Sequence, residues 1–257
     1  MDPAARGAGK YARSWSPAPA RPFAGTSGKK TRFGRLATLR RAYARVVEIR
    51  FCDERGAHGF SWTVDEPATR TAHALAADGR VWLVDPVHHE PSLARARTLG
   101  EPAAVLQLLD RHNRDCARSA EELGVPHLVV PAVLPDTPFE VVSVRHTKRW
   151  LEIALWWEAE RTLVVAEAIG TNGFFAPPGH AAGVHLLLRI SPPRDALGGF
   201  APEHLLVGHG EGLHGAAAAT GVRDALDHAR TGLPRVAARI PALAVDAFRR
   251  RRTDAER

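Results

Sequence analysis

Four short apolar runs follow one another at 46–52, 59–64, 69–76 and 81–84 with no helical periodicity between them. Runs of that length, bounded by turn residues, read as strands. Asp78-Gly79 between the last two is a hairpin signal, because a two-residue turn needs backbone that Asp and Gly tolerate. The chain therefore opens as a β-meander. Helix and strand patterns then alternate: helix 93–99, strand 103–109 (AAVLQLL), helix 116–123 closed by Gly124 as a C-cap, and strand 128–130. Further strands fall at 140–144, 151–157 and 162–168, a loop-rich stretch at 174–199, a strand at 203–207 and a helix at 216–230. The run 151–157 (LEIALWW) alternates at first and ends wholly apolar, as a strand does when it passes beneath a helix layer. Strands first, then strands and helices alternating, twice over, imply two sheets face to face with helices outside.

Composition limits what such a chain can be. At 257 residues, 45% hydrophobic and 25% charged, it can bury a core, and no run approaches the roughly 18 to 20 apolar residues of a membrane helix. Two cysteines, Cys52 and Cys116, make no disulfide framework, and no apolar segment near Met1 reads as a secretory signal. A cytoplasmic protein is expected. The net charge of +7 is concentrated at the ends: residues 1–50 carry 12 Lys+Arg against 2 acids, whereas 51–245 carry 18 against 23. A mildly acidic body argues against nucleic acid as a partner, since a phosphate-binding footprint belongs on the folded domain. The expected organisation is a disordered basic arm over 1–45, a domain over 46–232, and a helix and basic tail over 233–257. The arm reads as solvated, with a nucleic-acid or acidic-partner tail and a targeting segment as alternatives.

Three loops at strand ends collect polar residues. They are Asp110-Arg111-His112-Asn113-Arg114-Asp115-Cys116, Arg145-His146-Thr147, and Gly208-His209-Gly210-Glu211-Gly212. Glu167 interrupts the apolar strand TLVVAEAI. Sites in layered folds form where such loops converge, so one shared cleft is expected. His88, His89, His180, His185, His204 and His214 read as surface histidines. Trp150, Trp156 and Trp157 read as core or pocket wall. The Gly208–Gly212 loop lacks the Lys-Ser/Thr of a phosphate-binding loop. Cys116 at a helix N-terminus near His146 or His209 is also a possible nucleophile.

Asp85-Pro86 after a strand, the polar loop at 111–116, His146-Thr147, Ala166-Glu167-Ala168 and Gly208-His209-Gly210 resemble, in order and spacing, the metallo-β-lactamase superfamily. The resemblance covers about 46–232 and implies a four-layer αββα sandwich and a site for two metal ions. Carried onto this chain, the first metal position falls on Arg111, Asn113 and His146, of which only His146 can be a ligand, because arginine has no lone pair to give. The second falls on Asp115, Cys116, Glu167 and His209, a set that suits zinc.

Two functions follow from that resemblance. In one, the metal site is degenerate, no metal binds, and Arg111 neutralises the buried carboxylates; the chain is then a pseudoenzyme that binds an unknown small molecule or serves structurally. In the other, a single zinc on Asp115, Cys116, Glu167 and His209 supports hydrolysis of an ester, lactone, thioester or amide, with Asp115 or Glu167 as the catalytic carboxylate orienting the attacking water.

Overall fold

In the computed structural model of the chain, residues 48–112 and 114–232 are described. The arm expected over 1–45, the helix and basic tail expected over 233–257, and Asn113 lie outside them.

The meander forms as the apolar runs require. Strands β1 (Ile49–Cys52), β2 (Gly59–Val64), β3 (Thr71–Ala77) and β4 (Arg80–Val84) pair antiparallel in sequence order. Asp78 and Gly79 make the β3–β4 turn with φ of 50° and 72°, the mirror-image turn that matches strand twist. Helix α1 (Glu90–Arg97) then leads to β5 (Glu101–Gln107), and α2 (Cys116–Leu123), which ends on left-handed Gly124, leads to β6 (His127–Val129). Both β5 and β6 add in parallel, completing a six-stranded sheet in the order β1 to β6.

The second sheet has the order β13-β12-β9-β8-β7. Its strands are β7 (Glu140–Thr147), β8 (Trp150–Trp157), β9 (Thr162–Val165), β12 (His204–Val207) and β13 (Leu213–His214). β7, β8 and β9 form an antiparallel meander, and β12 lies parallel to β9. Between them sit a two-stranded ribbon, β10 (Ile169–Gly170) with β11 (Gly183–Val184), and the short helix α3 (Arg194–Leu197). Helix α4 (Ala216–Asp227) packs on β11, β12 and β13.

Burial shows four layers. Along β4, Trp82 and Val84 join the core that holds Ile153, Leu155 and Trp157 of β8, while Val81 and Leu83 join Leu93, Ala96, Cys116 and Ala120 beneath α1 and α2. A strand covered on both faces must be apolar throughout, which is why β4 does not alternate. Val222, Ala225 and Leu226 of α4 extend the central core on the far side. The architecture is the αββα sandwich. Among the described residues no helix is long and apolar enough to cross a membrane.

Two cross-ties fix the end of the sandwich where the site lies. Past β5 the chain leaves the first sheet and bonds to β8: Ile153 N donates to Leu108 O at 2.9 Å and Asp110 N to Leu151 O at 3.0 Å. At the start of β3, Thr71 N donates to Gly208 O and Gly210 N to Thr69 O, both at 2.9 Å. The loops after β4, β5, β9 and β12 are thereby drawn to one place.

Candidate metal centre

Three side chains converge at these strand ends. His112 follows β5, Glu167 follows β9 and His209 follows β12, and one ligand atom from each lies within 4.8 Å of the others. His112 Nε2 is 3.4 Å and His209 Nε2 3.5 Å from the same oxygen, Glu167 Oε1. His112 is buried; Glu167 and His209 are partly so.

The outer nitrogens decide what the inner ones offer. His209 Nδ1 lies 2.8 Å from Ala68 O, which can only accept, so Nδ1 carries a proton. His112 Nδ1 is 3.0 Å from Asp85 Oδ2, close but too poorly aligned for a directed hydrogen bond, and a carboxylate again assigns the proton to Nδ1. Both rings turn Nε2 toward Glu167, and that of His112 also lies 3.2 Å from Arg114 Nη2. Lone pairs facing one point repel unless positive charge stands among them: the Arg114 guanidinium, protons on the imidazoles or a metal ion. Protein groups behind both ring nitrogens are the usual support of ligating histidines.

Burial would raise the Glu167 carboxyl, but His112 and His209 outweigh it and hold it far below the usual carboxylate range. Burial and Arg114 oppose charge on His112, yet Asp85 and Glu167 raise its pKa overall. Asp85 is likewise lowered: burial acts against ionisation, and His112 and Arg114 overcome it.

Arg114 is a partly buried cation beside the cluster. Its guanidinium donates to Gly208 O at 2.7 Å, to Asp85 O at 3.3 Å and to Thr71 O, and Nη2 lies 3.2 Å from His112 Nε2. His185 flanks the other side. Its Nδ1 accepts from Leu187 N at 3.2 Å, which leaves the proton on Nε2, 3.7 Å from Glu167 Oε2. Trp150 and Phe175 hold its ring, at centroid distances of 4.9 and 5.4 Å. Burial lowers its pKa, so the ring is neutral near pH 7.

Behind Glu167, the buried Glu152 accepts from the Glu167 and Ala168 N–H groups, each at 2.8 Å, and from the Trp150 indole at 2.6 Å. These bonds fix the chain at Glu167. Burial pushes the Glu152 carboxyl up to about 7.

Of the residues expected from the sequence, Glu167 and His209 meet, and the others among the described residues do not join them. Asp115 stands at the N-cap position of α2, but its carboxylate makes no capping bond and instead accepts from His88 N at 3.0 Å. Cys116 faces the core between Phe60, Trp62 and Leu93, where burial raises its thiol and denies it the thiolate needed of a ligand or nucleophile. Arg111 is exposed, stacked over the Trp150 ring at 4.0 Å and bonded to Arg149 O rather than to a carboxylate. His146 lies exposed on β7 opposite Leu151, because the strand continues past Val144 through a bulge. Missed were His112, Arg114 and Glu152, and His185 was read as a surface residue. An acid inside LEIALWW was the available signal for Glu152.

No family model matches the sequence, and no curated protein does. Solved structures do resemble it in fold. A metallo-β-lactamase from Erythrobacter litoralis, with β-mercaptoethanol in its active site, matches at a TM-score of 0.50 and 11% identity over 72% of this chain and 98% of that one. TMB-1 matches at 0.49 and 10% over 74% and 98%, and the DIM-1 metallo-β-lactamase at 0.46 and 13% over 71% and 98%.

Proposed function

Since the chain has the metallo-β-lactamase fold, we propose that it holds one divalent metal ion, zinc by its donor set, on His112, Glu167 and His209, and hydrolyses an ester, lactone, thioester or amide. The observation that carries this reading is the convergence of two imidazole nitrogens and a carboxylate oxygen, with a protein oxygen behind each ring. Two histidines and one carboxylate with an open side are a catalytic rather than a structural zinc set. When bound, the ion supplies Lewis acidity toward a carbonyl oxygen and acidifies water.

The chain's own residues supply the rest. Asp85 and the Ala68 carbonyl hold the ligand rings in the correct tautomer. Glu152 anchors the backbone that presents Glu167. His185 carries its proton on the nitrogen that faces the cluster, in position to protonate a leaving group, and Trp150 and Phe175 keep water from its flanks.

A metal-free binding protein is the second reading, and Arg114 favours it. A guanidinium 3.2 Å from His112 Nε2 repels a dication, and with imidazolium pairing to Glu167 the cluster can neutralise itself. This is the role expected of Arg111, carried by a different arginine. Titration of chelator-stripped protein with zinc separates the two. Binding of one equivalent, lost in His112→Ala and His209→Ala, together with chelator-sensitive turnover on a panel of esters, lactones, thioesters and amides, supports the hydrolase. Absence of zinc binding rejects it.

A further inference from the structure

A second histidine cluster lies at the base of the hairpin that carries His209. β12 and β13 pair antiparallel with His204 directly opposite His214, so both rings rise from the same face. Their Nδ1 atoms are 2.8 Å apart. The far nitrogen of His214, Nε2, is 3.1 Å from Asp53 Oδ1, an oxygen that also accepts from Gly212 N at 2.9 Å.

Asp53 is built into this position. Its side chain is only 3% exposed, and its backbone sits at a φ of 49°, which is costly for a residue with a Cβ. A carboxylate accepts and does not donate, so His214 keeps its proton on Nε2 and its Nδ1 accepts from His204 Nδ1–H, a proton that a bound ion would displace. Carboxylate, imidazole and acceptor nitrogen in that order are the support that metal-ligating histidines use. Two imidazole nitrogens bound to one ion at about 2.0 to 2.1 Å stand roughly 3.0 to 3.4 Å apart, so the pair needs only a slight opening to accept one. His214 is 38% exposed, which lets an ion enter from solvent and water complete its shell. Arg55, the cation that acts on His204, is itself paired with Glu160 at 3.4 Å.

We propose that His204 and His214 form a separate, solvent-facing site for a divalent transition metal, with Asp53 as the buried carboxylate that orients His214. The site takes borderline ions that favour imidazole, copper(II) most tightly. It stands apart from the His112–Glu167–His209 centre and does not depend on it.

Copper(II) titration of the His209→Ala chain, which lacks a ligand of the first centre, tests the proposal. One equivalent should bind with the spectroscopic signature of two imidazole nitrogens. Adding His204→Gln or His214→Gln should abolish it, and Asp53→Asn should weaken it about 10- to 100-fold, an effect that an adventitious surface pair would not show. Should Asp53→Asn fail to fold, the two histidine variants decide. Copper binding that survives both, or no stoichiometric binding in His209→Ala, overturns the site.

Discussion

Arg114 carries conflicting demands. It satisfies the carbonyls of Thr71, Asp85 and Gly208 and balances Asp85, but it crowds a ligand atom with positive charge. Arg114→Gln should therefore lower thermal stability by about 3 to 5 kcal/mol, as removal of one partner from a buried charged network does. The same change should tighten zinc binding, read by competition with a chromophoric chelator. Weaker zinc binding with unchanged stability would show that the guanidinium has neither role. His185 acts on chemistry alone: His185→Gln should cut turnover about 10²- to 10⁴-fold with metal content unchanged. Glu152 gives a pH signature. Its folded-state pKa of about 7 exceeds the ordinary glutamate value of 4.5, so between these values the unfolded chain ionises first and stability falls as pH rises. The loss amounts to about 3 kcal/mol across that window. Glu152→Gln should flatten the slope in denaturant melts from pH 4 to 8, and an unchanged slope would assign it to another group.

At the scale of elements, the loops after β5 and β12 set the site. Gly210 adopts a φ of 98°, and a Cβ there would meet Thr171 Oγ1 at 2.1 Å and Asn172 N at 2.8 Å. Gly210→Ala should strain the loop by about 1 to 3 kcal/mol and displace His209, costing zinc affinity more than it costs melting temperature. A variant with native zinc affinity would mean that the loop absorbs the strain. The longer strands and the α2 helix were legible in the sequence because periodicity and turn chemistry are local: β2 spans Gly59–Val64 and α2 Cys116–Leu123, as read, whereas the two-residue strands β10, β11 and β13 are too short to show a period. The loop from Asp110 to Asp115 has no periodicity to fix its phase. Family spacing set the frame on Arg111, Asp115 and Cys116, whereas the peptide's turn after Leu109 brings His112 inward instead. His146 was misplaced for a related reason, since the bulge near Val144 that prolongs β7 leaves no mark in the local apolar pattern.

In the whole molecule, parallel strands of both sheets end at one rim, and the cross-ties from β5 to β8 and from β3 to the His209 loop hold that rim closed. The four layers supply stability, and the rim is left to carry polar groups that a core could not bury unpaired. An ion held there by loops of both sheets would bind only the folded chain, so its removal should destabilise the entire domain. One such ion is expected on His112, Glu167 and His209. Elemental mass spectrometry of the purified chain, in a His204→Gln background that silences the hairpin site, measures it directly. About one zinc per chain, falling to near zero in His112→Ala and His209→Ala, is the predicted result. Zinc absent from the parent after loading, or retained at full stoichiometry in both variants, would contradict it.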